Sequence, residues 1–319
     1  MAGDGQSDVH GVGLRNWLLD LLRRRPLYLP DDLSVNAAYF RRIYGNFAVT
    51  DNTAVAPADY DPFCVTAPAD PRLPGGGRQI CGLFDLNPAK VGQVSTLGTD
   101  ASHYGNVYDQ WNGVDLSMNA RLQKVLLQGG VSTGKTMTDN CAVMAHPQVT
   151  LTAAAGSPAL STTPATSTEF CRVETPFLTQ VKLLGAYTLP WEIQISGTFQ
   201  SIPGPLITAS GTYTNPQIAP SLGRNLSSGS TATINLVLPG TLYGDRLNQI
   251  DLRFTKIFRI RRARVQGMID LYNALNDNTV LVLSNTYGAT GGASAGSAWQ
   301  VPQAIMPGRV IKFGVQMDF

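Results

Sequence analysis

WEIQISGTFQ, residues 191–200, places Trp191, Ile193, Ile195 and Phe199 on one side of an extended chain and Glu192, Gln194, Ser196, Thr198 and Gln200 on the other. Only Gly197 interrupts the apolar side. A period of two is the alternation of a pleated strand with one greasy and one wet face; a helix would repeat its apolar positions every three or four residues.

The same pattern recurs along the chain. VDLSMNARL (114–122) sets Val114, Leu116, Met118, Ala120 and Leu122 against Asp115, Ser117, Asn119 and Arg121. NQIDLRFTKIF (248–258) sets Ile250, Leu252, Phe254 and Phe258 against Gln249, Asp251, Arg253 and Thr255. GRVIKFGVQMDF (308–319) sets Arg309, Ile311, Phe313, Val315, Met317 and Phe319 against Gly308, Val310, Lys312, Gly314, Gln316 and Asp318. Looser alternation over 33–47, 124–136, 179–189 and 263–275 brings the expectation to about eight strands.

Their spacing carries more information than their number. Tight turns fall at Gln123, at Pro190 and at Arg261 and Arg262, while the links over about 51–107, 139–175, 202–246 and 276–306 are long and rich in Gly, Ser, Thr, Asn and Pro. Short and long links alternate, as in an up-and-down transmembrane β-barrel with short turns at one rim and long loops at the other. Tyr187, Trp191, Phe258 and Phe319 all lie near the tight-turn rim, where an interfacial girdle of aromatic residues would sit. One residue conflicts: Arg41 shares the face of Val35, Ala37 and Ile43. An arginine facing lipid at mid-membrane costs about 2–4 kcal/mol, so a bulge or an exit from the bilayer is expected near it.

Composition narrows the function classes. The 319 residues include 43% hydrophobic but only 14% charged residues, with 32 Gly and 20 Pro, which suits many turns and few long helices. A net charge of +2 supplies no field that would draw nucleic acid or acidic lipid over a distance. No window approaches the roughly 20 apolar residues of a membrane-crossing helix. In NWLLDLLRRR (16–25) the arginines follow the apolar patch, the reverse of a secretory signal. Cys64, Cys81, Cys141 and Cys171 form no CxxC pair, and only His10, His103 and His146 accompany them, so no zinc site or other metal site is expected. The cysteines read either as two loop staples of an oxidising compartment, Cys64 with Cys81 and Cys141 with Cys171, or as unpaired small apolar residues.

Two stretches carry residue types that also occur in chemical sites. GGVSTGKT (129–136) has the spacing of a phosphate-cradling loop through Gly129, Gly134, Lys135 and Thr136, but MTDNCAVMAHP follows with no helical apolar period, so the glycines, Gly130 included, read as strand residues. Asp115, Asp251, Asp270 and Glu192 fall on polar strand faces without visible catalytic partners; no enzyme and no cofactor are expected.

LSVNAAYFRRIYGNFAVTDN (33–52), the first cysteine loop DYDPFCVTAPADPRLPGGGRQICGLFDLNPAKVGQV (59–94), NGVDLSMNARL, LLQGGVSTGKTMTDNC, NQIDLRFTKIFRIRRARVQGMIDLYNALNDNTV and the closing PGRVIKFGVQMDF together resemble the C-terminal part of TonB-dependent outer-membrane receptors, especially those with an N-terminal carboxypeptidase-regulatory-like domain. The resemblance runs over about 31–319. It implies location in the cell outer membrane and uptake of a scarce nutrient such as a glycan, a peptide or a metal chelate. The implied partners are outer-membrane lipid, the barrel-assembly machinery, TonB and a plug domain. Phe313, Val315, Met317 and Phe319 resemble the terminal signal that the assembly machinery reads. The family's signal peptide, TonB box, plug and roughly fourteen further strands have no counterpart here, which implies a gene fragment whose residues 1–30 are a misassigned or disordered start. The expected fold is therefore all-β, an antiparallel partial barrel of about eight strands. Two alternatives stand beside it: a small closed eight-stranded barrel serving as adhesin or anchor, with 33–47 pairing with 308–319, and a soluble β-sandwich binding module whose apolar faces pack on each other.

Overall fold

The computed structural model describes residues 32–151, 166–261 and 263–318; the expected non-matching segment 1–30, His10 and Phe319 lie outside the described residues. Eight long strands organise the chain: β1 Leu33–Tyr44, β2 Tyr108–Leu122, β3 Val125–Asp139, β4 Gln180–Leu189, β5 Ile193–Ile202, β6 Leu247–Ile260, β7 Ala263–Tyr272 and β8 Val310–Asp318. Each pairs antiparallel with the one before it in chain order, and a short ninth strand, Arg172–Glu174, joins the loop end of β3. β1 and β8 are the two outer strands of an open sheet and are not paired with each other. The pairing that would close eight strands on themselves is thus not formed.

Register keeps the two faces distinct across the whole sheet. Val35 stands opposite Met118, Leu116 opposite Val131, Leu183 opposite Phe199, Ile195 opposite Phe254, Phe254 opposite Ile269 and Ile269 opposite Phe313. A slip of one residue in any pair would carry a whole strand's apolar set to the polar side. This apolar face is not sealed against a second sheet: Ile193 and Leu252 are half-buried, Phe254 is 42% exposed and Phe313 75%.

Strand limits differ from the alternation in places. β5 starts at Ile193, because Trp191 and Glu192 hold φ of 62° and 58° in the turn Pro190–Glu192 and cannot continue a pleat. Trp191 is therefore not a member of the strand's apolar face, nor Glu192 of its polar face. β2 starts at Tyr108, ahead of its clean alternation, because its backbone still pairs with Arg41 through Tyr44. Arg41 itself needs no bulge: it lies near the loop end of β1 opposite Asn112, with Nη2 donating to Gln110 Oε1 at 3.1 Å.

The described residues of the long connections, 45–107, 140–151 with 166–179, 203–246 and 273–309, emerge at the end opposite the short turns. They are not sprawling. Together they fold into a head with its own dry core, in which Phe63, Ile80 and Leu83 from the first connection meet Phe170 from the second, Tyr213, Ile218 and Ile234 from the third, and Tyr287 and Trp299 from the fourth. Trp299 Nε1 donates to Thr208 O at 2.7 Å and Tyr213 OH to Thr66 O at 3.0 Å, which satisfies the polar ends of these buried rings. The helix Asn215–Leu222, opened by Pro216 and a reciprocal Thr214–Gln217 cap and closed by Gly223 at φ 78°, buries Ile218 in this core. A second cluster gathers Phe47, Val49, Val143, Val149 and Leu151. Cys64 is bonded to Cys81 and Cys141 to Cys171, both within the head. The main dry core of the described residues lies in the connections, where the sequence reading expected polar loops.

Candidate functional site

The polar face of the sheet carries two adjoining grooves, of about 390 and 510 Å³, which share Leu184, Thr198 and Asp251. Strand alternation builds them, since side chains two apart on β4, β5, β6 and β7 all reach the same side. Gln128, Lys182, Gln200 and Gln249 line the first; Gln194, Ser196, Arg253, Asp270 and Tyr272 line the second.

Hydrogen bonds tie this face into chains across the strands. Gln200 Nε2 donates to Gln249 Oε1 at 2.5 Å, and Gln249 Nε2 donates to both oxygens of Asp251 at 2.9 and 3.0 Å. The Asn273 amide adds a third bond to Asp251 Oδ1 at 2.8 Å. Arg253 grips Asp270 as a fork, Nε to Oδ1 at 2.6 Å and Nη2 to Oδ2 at 2.9 Å, with Lys312 opposite Asp270 on β8. Asp115 accepts from Ser132 Oγ at 2.5 Å. The three strand carboxylates singled out in the sequence are thus all engaged in hydrogen bonds across the strands. Glu192, in its turn, pairs with Arg259 at 3.0 Å. What the arrangement offers is a wet, amide- and hydroxyl-rich wall with local charge pairs, able to hold water or a polar solute.

The phosphate-loop look-alike is strand throughout: Gly129, Gly130, Gly134, Lys135 and Thr136 all fall within β3. Lys135 pairs with Glu174 and sits 5.4 Å from the Phe177 ring. Gly134 has a different purpose. A Cβ there would stand 2.3 Å from Trp111 Cζ2, and one at Gly113, directly across, 2.1 Å from Cη2. The indole therefore lies across the bare backbone of a cross-strand glycine pair. Sequence reading passed over Trp111, although two glycines in register beside a tryptophan are the signal that could have found it.

In the head, Arg224 bridges Asp61 at 2.6 Å and Asp85, joining the first connection to the third. The Asp70 carboxyl is held at about 2, chiefly by its hydrogen bond from Arg72. Asp277 lies below the usual carboxylate range, first because the Thr279 hydroxyl donates to it. Among the described residues no group of three or more His, Cys, Asp or Glu is placed to hold a metal ion. The His146 ring stands edge-on to Tyr104 at 5.3 Å, and His103 Nδ1 lies 3.2 Å from Thr99 Oγ1.

On the other face, Phe313, Val315 and Met317 project together from β8, all well exposed. At the short-turn rim, Tyr187, Trp191 and Phe258 are exposed, and Lys256 Nζ donates to the Trp191 carbonyl while lying 5.6 Å from the Phe258 ring. Comparison with protein-family models and with curated proteins finds no match to this chain.

Proposed function

We propose that this chain forms part of the wall of an outer-membrane β-barrel of the TonB-dependent receptor kind, with the apolar sheet face toward hydrocarbon and the polar face toward the lumen. The observation that carries the reading is the mainly apolar face that runs across eight strands with no second sheet of the described residues over it, the amide- and charge-bearing face behind it, and the long connections at one end. A water-soluble sandwich would bury that face against a second sheet. In this reading the transported solute is a scarce nutrient such as a glycan, a peptide or a metal chelate, and Phe313, Val315, Met317 and Phe319 are read by the barrel-assembly machinery. TonB and a plug domain energise and gate the complete receptor. Hydrocarbon cannot satisfy the free backbone groups of β1 and β8, so a working barrel needs further strands on both edges.

The test is a paired arginine substitution. Phe254→Arg on the apolar face is expected to cost about 2–4 kcal/mol of folding stability in lipid vesicles, and Thr198→Arg, at an exposed position of the opposite face, much less. Equal costs, or a parent chain that stays monodisperse without detergent, would overturn the reading.

A further inference from the structure

Cross-strand register turns the polar face of β1–β3 into a grid whose rows step down from the head. Arg42, Trp111 and Thr136 share one row, Phe40, Gly113 and Gly134 the next, and Ala38, Asp115 and Ser132 the one below. Neighbouring rows lie about 7 Å apart, two residues of an extended strand. In the middle row β2 and β3 carry no side chains, and the Trp111 indole leans across the gap, its Cζ2 taking the space of both missing Cβ atoms. Glycine weakens a strand interior, and it is kept where something must approach the backbone closely. The backbone covers one side of the indole; the residue is only half-buried, so the other side stays open to the polar face. Phe40, 38% exposed, stands beside it on β1.

Hydrogen bonding sets this part of the wall apart from the grooves beside it. On β4–β7, Gln200, Gln249 and Asp251 bond in a chain and Arg253 holds Asp270, so those groups satisfy one another. On β1–β3 the polar groups keep free capacity. Among the described residues, Arg42 gives one bond, Nη1 to Tyr44 OH at 3.2 Å, and makes no ion pair. Asp115 accepts a side-chain bond from Ser132 alone, and the Trp111 indole N–H makes none. Asn36 and Ser117, one row further down beside Gly130, make no side-chain hydrogen bond there either. An open aromatic surface thus stands one row above a carboxylate with unused lone pairs, over a floor of Ala38, Ser117, Gly130 and Ser132.

That juxtaposition selects among solutes. A pyranose has a stiff face of C–H groups that suits the negative face of an aromatic ring, and hydroxyls at its rim that both donate and accept. It is uncharged and spans about one row. A metal chelate presents several acidic oxygens, whereas Arg42 is the one cation in these four rows. We propose that Trp111 and Asp115 form a pyranose-binding subsite on the polar face of β1–β3. The open side of the indole, with Phe40, packs the C–H face of the sugar; Asp115 accepts from its hydroxyls, and Arg42 donates to the next unit. The proposal narrows the transported solute to a neutral glycan and rests on the reading of this face as lumen.

The test uses the full chain in micelles of a zwitterionic detergent without sugar headgroups. A micelle covers the apolar face and leaves both sheet edges to water, so eight strands need not cross a bilayer alone. The Trp111 emission, taken as the difference between the parent and Trp111→Phe, is titrated with neutral trisaccharides of glucose, of galactose and of N-acetylglucosamine. Trialanine and ferric citrate represent the competing solute classes. At least one trisaccharide is expected to change the signal saturably, with a Kd of about 1 mM or tighter, while trialanine and ferric citrate change nothing. Asp115→Asn keeps the size of the side chain and should weaken the sugar about tenfold. Parent-like sugar binding by Asp115→Asn overturns the assignment of the carboxylate. Saturation by trialanine or ferric citrate and by no trisaccharide overturns the glycan assignment, and silence toward every probe overturns the subsite. A fatty acid bearing a nitroxide quencher in the micelle separates these failures from that of the barrel reading. Where it quenches Phe254→Trp, the apolar face lies in detergent and only the subsite falls; where it does not, the lumen reading falls and the subsite with it.

Discussion

Arg72 grips Asp70 from two sides, Nε to Oδ1 at 3.0 Å and Nη2 to Oδ2 at 2.6 Å. The same guanidinium donates to Trp299 O at 3.2 Å and Gly296 O at 2.9 Å, and it lies 5.4 Å from the Trp299 ring. Tyr287 OH completes the cluster with a bond to Asp70 Oδ2 at 3.2 Å. A two-residue step in the first connection thereby holds the fourth connection in place.

Acid should loosen the head through this cluster. The Asp70 carboxyl sits at about 2 when folded, chiefly through Arg72, and at roughly 3.9 in an unfolded chain. A lowered folded value gives stability that is complete above about pH 4 and lost as the pH falls toward about 2. Unfolding followed by Trp299 and Tyr287 fluorescence should show this loss, and Asp70→Asn should remove its share of the slope. An unchanged slope in the variant would assign the acid response to other carboxylates.

Asn273 is the second sensitive point. It is buried, holds φ of 50°, and its side chain donates to Asp277 O at 2.8 Å and Pro307 O at 2.9 Å while accepting from the Asp277 amide at 2.9 Å. These bonds join the end of β7 to the approach of β8. Asn273→Ala leaves buried groups unpaired and puts alanine in left-handed backbone, so a loss of about 3 kcal/mol in urea unfolding is expected. Hydrogen exchange should quicken first at Val310 and Ile311.

The glycine pair under Trp111 predicts a coupled response. Gly134→Val drives a side chain into the indole, at an expected cost of about 1–3 kcal/mol. In Trp111→Ala the same substitution should cost clearly less, and a double-mutant cycle measures the difference. Purely additive losses would show that the neighbouring backbone, Asn112 O at 2.9 Å from the added Cβ, dominates instead.

Reduction should act on the head and spare the sheet. The bridges Cys64–Cys81 and Cys141–Cys171 span 17 and 30 residues. In the chain-entropy picture each is worth about 3–4 kcal/mol. With a reducing agent, limited proteolysis should cut within 45–107 and 140–179 while the β strand signal in circular dichroism persists.

The sheet was legible in the sequence because its determinants are local. Half-apolar alternation in 191–200, 248–258 and 308–319 places side chains on faces without reference to any distant residue, and the tight turns follow from where alternation restarts. The cysteine loops were legible only as two options. The head was not legible, for a physical reason: its core draws single residues such as Phe170, Ile218 and Trp299 from short elements far apart in the chain, and no periodicity links them. Trp191 was misplaced because alternation cannot register a backbone that turns left-handed for two residues. The polar face was visible as a face, but its pairings, Arg253 with Asp270 and Gln249 with Asp251, depend on register between strands.

Because the head's interior takes residues from all four long connections, its full packing is reached only when every hairpin of the sheet is in place. A completed crown thus marks a sheet whose rungs were threaded in the right order. A misregistered sheet would leave the crown open to proteases, so quality control could act on the crown rather than on the wall.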